Sequence, residues 1–185
     1  MKVDDQKLLE LFLQLIKIDS TSLHERAMAD FLISKFNGWK IEVEEDDSAS
    51  KIGGNSGNLF IRLNSDSNHS SPLVLLAHTD TVRSTAKVKP IIENGVIRSD
   101  GSTILGADNR SGVALILYVI AEIIENKLKH RNLEIVFSVA EELGMFGALA
   151  LDFNKLSATE GYIFDCSAKP GSYVGEAPTA YDFRV

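Results

Sequence analysis

Thiols are almost missing from this chain. Its 185 residues hold one cysteine, Cys166, so an intrachain disulfide framework is excluded and a reducing compartment is the natural reading. Long apolar runs are missing too. None approaches the ~20 residues that span a bilayer, and Met1-Lys2-Val3-Asp4-Asp5 lacks the apolar core of a signal peptide. A cytoplasmic protein is therefore expected, with no membrane partner. Basic clusters are absent, and 26 acidic against 19 basic residues leave a net charge of −7, which disfavours nucleic acid as a partner. The Gly53, Gly54 and Gly57 loop is not followed by Gly-Lys-Ser/Thr, so it is not a phosphate loop. There is no internal repeat and no low-complexity linker.

What is present is an ordered series of amphipathic helices and short apolar strands. Leu8, Leu9, Leu11, Phe12, Leu15, Ile16 and Ile18 form a helical stripe. Ser22-Leu23-His24-Glu25 has capping-box spacing ahead of a second helix carrying Met28, Phe31, Leu32 and Phe36, closed by Asn37-Gly38. Residues 41–44 alternate as a strand, 46–58 read as a loop, and 58–63 alternate again. Residues 65–71 read as a polar turn. Leu73-Val74-Leu75-Leu76 is a buried strand. Asn94-Gly95 marks a hairpin within 88–97. A helix is predicted over 109–124, a buried strand over 133–139, a short helix over 146–153 and a third apolar strand over 161–164. Tyr173-Val174 and 180–185 read as further strands. This alternation predicts an α/β layered domain. In such sheets ligands gather at the carboxyl ends of strands.

Four clusters fall at those ends. His78 and Asp80 alternate, so both side chains can leave one face, and a carboxylate beside a metal-bound imidazole fixes its tautomer. Taken alone the pair reads as a structural one. Asp108 stands between a glycine-containing loop and a helix, and taken alone it reads as an N-cap. Glu141 and Glu142 repel each other unless a cation or shared proton compensates. One of them could then ligate and the other act as base on bound water, or both could be solvated. Asp165 follows the third strand. Its neighbour Cys166 reads as a buried, inert thiol.

Ala77-His78-Thr79-Asp80-Thr81-Val82, Leu105-Gly106-Ala107-Asp108-Asn109-Arg110-Ser111-Gly112, Ala140-Glu141-Glu142-Leu143-Gly144-Met145-Phe146-Gly147-Ala148 and the strand-end Asp165 resemble, in order and spacing, the co-catalytic zinc exopeptidases of the peptidase T and aminoacylase/carboxypeptidase family. The resemblance implies a three-layer catalytic domain with a mixed central sheet. It implies two zinc ions per complete site, with His78 and Asp165 on one, Asp108 bridging and Glu142 on the other. Glu141 would be the general base and acid, and Asp80 would orient His78. It implies a cis Asp108–Asn109 peptide, and Asn109 marks the peptidase T branch. The substrate would be a short peptide cleaved by a tripeptidase-like aminopeptidase. An N-acyl-amino-acid deacylase or dipeptidase, or a non-catalytic remnant, stand as alternatives. The aspartic-protease reading of Asp80-Thr81 fails at Val82.

The family closes its second metal site with a late histidine. It also carries a lid or dimerisation domain, through which the whole protein could form a homodimer. This sequence shows neither. Residues 1–185 are therefore expected to be the N-terminal portion of the catalytic domain, incomplete at its C-terminus. Alone they are expected to bind metal weakly and hydrolyse little.

Overall fold

A computed structural model describes residues 3–65, 71–169 and 171–176. Helix α1 (Asp5–Leu15) starts at Asp4, whose carboxylate accepts the N–H groups of Gln6 and Lys7, as an N-cap should. Helix α2 (Arg26–Gly38) buries Met28, Ala29, Leu32 and Phe36 at helical spacing. There follow β1 (Val43–Glu45), α3 (Ser48–Ile52), β2 (Leu59–Leu63) and β3 (Leu73–His78). Strands β4 (Pro90–Glu93) and β5 (Val96–Ser99) form a separate hairpin. Its turn residues Asn94 and Gly95 both have positive φ, 52° and 76°, the conformation that favours this dipeptide. The long α4 (Ala107–Glu125), then β6 (Leu133–Ser138), α5 (Phe146–Ala150), a 3-10 turn at Phe153–Lys155 and β7 (Glu160–Ile163) complete the described chain.

The five-stranded sheet runs β1-β2-β6-β3-β7. Strands β1, β2 and β6 pair antiparallel, while β3 lies parallel to both β6 and β7. The sheet is mixed, as expected. Period-two alternation decides what each face buries. Leu59, Ile61, Leu75, Ala77, Leu133, Ile135 and Phe137 point to one face, where α1, α2 and α4 cover them and form the main core. Each such fully buried aliphatic or aromatic side chain contributes ~1.5–3 kcal/mol. Truncating Phe137 to alanine would cost ~3–5 kcal/mol. Phe60, Val74 and Val136 point to the other face. Among the described residues they meet Leu76, Leu151, Leu156 and Ala158, so this third layer is a thin one.

Several expectations need correction. The stretch 46–58 is not all loop: α3 lies inside it, closed by Gly53 at φ 75°. The helix predicted over 146–153 stops at Ala150. Tyr173-Val174 is irregular and exposed. Strand β7, expected as an apolar strand over 161–164, is an exposed edge among the described residues. Cys166 is exposed as well. The expected strand over 180–185 and the centre of the turn over 65–71 lie outside the described residues. Among those residues no helix is long and apolar enough to cross a membrane.

Parallel pairing of β6, β3 and β7 sets their carboxyl ends side by side. Thr79-Asp80, Val139-Ala140 and Phe164-Asp165 therefore emerge together, and the start of α4 faces them.

Candidate metal centre

His78 ends β3 and is 3 % exposed. Its Nδ1 lies 3.2 Å from Asp80 Oδ1 and its Nε2 3.0 Å from Asp108 Oδ1. Asp165 Oδ1 is 3.6 Å and Glu141 Oε2 3.9 Å from the same Nε2. One ring nitrogen is thus committed to a buried carboxylate, while the other points into a cluster of acids.

Asp80 is fully buried. Beyond His78, it accepts the Ser22 hydroxyl at 2.6 Å and the backbone N–H groups of Glu141 and Glu142 at 3.0 and 3.1 Å. Burial alone would raise its pKa, but His78, Ser22 and these two amides hold it below the ordinary carboxylate value. It stays ionised.

Asp108 is not an N-cap. Gly106, at φ 73°, begins α4 without a side-chain cap, and Asp108 and Asn109 themselves have non-helical angles. The Asp108–Asn109 peptide is cis, as the resemblance implied. The Asp108 carboxylate turns toward His78, and Asn109 Oδ1 accepts the Gly112 N–H at 3.1 Å in its place. Glu141 and Glu142 leave β6 through Ala140, which has φ 49°.

Two donor groups result: His78 with Glu141 and Glu142, and His78 with Asp108 and Asp165. Within each group the donor atoms lie within 4.8 Å of one another. All six sequence-derived residues therefore meet at one place. Their charges are unbalanced. Burial, then the neighbouring acids, push the carboxyl groups of Asp108, Glu141 and Glu142 up. Burial works against a charged His78, but Asp165 and Asp80 outweigh it and the imidazole is pushed up to about 10. Acids that resist ionisation around an imidazole that holds its proton form a site short of positive charge. One imidazole and four carboxylates suit a divalent cation, and binding one would expel the imidazole proton. The residues present fit such an ion.

Other residues of this centre escaped the sequence reading. Ser22 and Glu25 do not form a capping box: α2 lacks a side-chain cap, Ser22 serves Asp80, and Glu25 Oε1 accepts the N–H of Leu23 and of Ala140, each at 2.9 Å. Arg110 is also fully buried. It donates to the Thr79 carbonyl at 2.7 Å, to Ser20 Oγ at 2.5 Å and to the Ile18 carbonyl at 3.4 Å. It thereby ties the start of α4 to the strand end that carries His78. Burial lowers its pKa to about 10, opposed by Asp80, Asp19 and Glu25, so it remains a cation.

The profile of Peptidase family M28 matches residues 58–161. An uncharacterised protein of Bacillus subtilis (strain 168), YqjE, is 37% identical over 183 residues, which is 99% of this chain and 49% of that one. A tripeptidase from Staphylococcus aureus superposes with a TM-score of 0.85 at 38% identity, covering 90% of this chain and 44% of that one. The aminopeptidase PepT from Bacillus cereus gives a TM-score of 0.87 at 34% identity, covering 90% and 45%. The chain thus spans about half the length of these relatives.

Proposed function

Because the chain belongs to peptidase family M28, as a peptidase T-like member, we propose that it forms the metal-binding half of an aminopeptidase that cleaves short peptides, tripeptides among them. The observation that carries this reading is the donor group of His78, Asp108 and Asp165, with Asp108 facing the His78 Nε2.

His78, Asp108 and Asp165 would hold one zinc ion, and Glu142 with Asp108 the other. Bound zinc lowers the pKa of water and polarises a scissile carbonyl. The protein's own groups do the rest. Asp80, kept ionised, accepts a hydrogen bond from the Nδ1–H of His78 and leaves Nε2 free to ligate. Burial, then the neighbouring acids, raise the affinity of Glu141 for a proton, the direction a general base requires. Its carboxylate takes a proton from the attacking water as the new C–O bond forms. It then gives that proton to the amine nitrogen as the C–N bond breaks. Completing the second site and reading the substrate's α-amino group would draw on the part of the longer relatives that this chain does not span.

Calorimetric titration of zinc tests the reading. The wild-type chain should take up one zinc equivalent clearly more tightly than any second, and Asp108→Ala should lose it. In the full-length enzyme Glu141→Gln should lower kcat by ~10²–10⁴-fold while keeping zinc. Equal titrations for wild type and Asp108→Ala would overturn the proposal.

A further inference from the structure

The turn that delivers Glu141 and Glu142 is held by three consecutive backbone N–H groups on two buried carboxylates. Ala140 N–H donates to Glu25 Oε1 at 2.9 Å, Glu141 N–H to Asp80 Oδ1 at 3.0 Å and Glu142 N–H to Asp80 Oδ2 at 3.1 Å. Glu25 and Asp80 are both 0% exposed. Ala140 needs holding, because its φ of 49° lies in the left-handed region that a Cβ disfavours. Glu25 is itself fixed from the other side. Its Oε1 also accepts the Leu23 N–H at 2.9 Å, and Ser22 two residues earlier donates to Asp80 Oδ2 at 2.6 Å. The segment 22–25 therefore reaches both anchors of the same turn. Glu25 Oε2, by contrast, is buried with no hydrogen-bond partner among the described residues.

We propose that Glu25 is a positioning residue for the Glu141–Glu142 pair, acting through the reach of its Oε1 to the Ala140 N–H and not through its charge. It touches neither the candidate metal nor the substrate. This rests on the reading above, in which Glu142 binds metal and Glu141 is the base. The distinction between reach and charge follows from the two oxygens. Oε1 carries both amide bonds. Oε2 carries none, so an amide nitrogen in its place removes no contact. Shortening the side chain by one methylene withdraws Oε1 and keeps the charge.

The test uses Glu25→Gln, which keeps reach and drops charge, against Glu25→Asp, which keeps charge and drops reach. Zinc is titrated by calorimetry into the metal-free protein, and cobalt(II) is added to parallel samples for visible spectra. Glu25→Asp should bind zinc ~10–100-fold more weakly and show altered cobalt bands. Glu25→Gln should stay within about threefold of wild type, since its acceptor is retained, and reproduce the wild-type spectrum. Ala140→Gly in the Glu25→Asp background should recover part of the lost affinity, because glycine adopts positive φ freely. This variant also carries the test if Glu25→Asp alone folds poorly. Wild-type affinity in Glu25→Asp, a loss in Glu25→Gln as large as in Glu25→Asp, or no recovery with glycine at 140 each overturns the proposal. Zinc uptake by wild type no better than by Asp108→Ala overturns both this proposal and the function it rests on.

Discussion

Gly112 separates stability from metal binding. It lies early in α4, and a Cβ there would stand 2.3 Å from the Phe164 carbonyl oxygen and 2.4 Å from Asn109 Oδ1. Both neighbours must yield by about 1 Å to reach ordinary contact. Alanine in a helix interior gains ~0.8–1 kcal/mol over glycine, while overpacking of this kind costs ~1–3 kcal/mol. Gly112→Ala should therefore destabilise the fold only modestly, by roughly 0–2 kcal/mol. Binding should suffer more. Phe164 precedes Asp165 and Asn109 follows Asp108, the two acids whose oxygens lie 3.6 and 3.0 Å from His78 Nε2. Metal–ligand distances tolerate only about ±0.2 Å, so a shift near 1 Å at either acid should weaken zinc binding ~10–100-fold. Thermal unfolding in chelator reports the first quantity, and calorimetric zinc titration reports the second. A variant more stable by ~1 kcal/mol with unchanged zinc affinity would refute the reasoning, because it would mean α4 does not press against the strand end carrying Asp165.

Arg110→Met should destabilise by ~3–5 kcal/mol, measured by denaturant unfolding, since the buried cation beside Asp80, Asp19 and Glu25 and its bonds to Thr79 and Ser20 are lost. Arg110→Lys should recover only part of this, lacking the fork that reaches several acceptors. Glu134→Gln should cost ~1.5–3 kcal/mol at neutral pH. Burial raises the Glu134 carboxyl, but the Ser157 hydroxyl and the amides of Ala158 and Ser157 outweigh it and hold it below its ordinary 4.5. Its contribution is then complete above the unfolded value and lost as pH falls through the lower folded one, so the variant's unfolding midpoint should depend less on pH below about 4.5. Zinc held at a hundred times its dissociation constant should stabilise by ~2.7 kcal/mol, raising the melting midpoint by roughly 5–11 °C. Chelator should abolish the rise, and Asp108→Ala should never show it.

The sheet and the helices over it were legible because burial writes a period. The 3.6-residue stripe of α1 and the alternation of β2 and β6 follow from what each side chain must hide, and the structure agrees. Coverage is not written that way. Tyr162 and Ile163 of β7 are apolar, yet among the described residues β7 is an exposed edge, because apolar character states a side chain's preference and not whether anything lies over it. Helix α3 was hidden for a different reason: five residues are too few to display a period.

The centre was legible as acids at strand ends and opaque in how they are held. Ser22-x-x-Glu25 satisfies the spacing of a cap and the geometry of an anchor equally well. A local reading prefers the cap, but the partners that win are Asp80, 58 residues away, and Ala140, 115 residues away. Asp108 repeats the case, its N-cap role displaced by His78 across 30 residues. Arg110 was unreadable because its acceptors are mostly backbone carbonyls, which every residue possesses and no sequence marks. What distinguishes these positions physically is charge placed where the apolar pattern has no use for it. Glu25 and Arg110 each interrupt or flank a helix that buries everything else on that face, and both are fully buried. Removing a charge from water without recompense is costly, so a charge found there must be answered by an opposite charge or by hydrogen bonds. Arg110 answers Asp80, Asp19 and Glu25, whereas Glu25, itself an acid beside Asp80, is answered by the backbone N–H groups of Leu23 and Ala140.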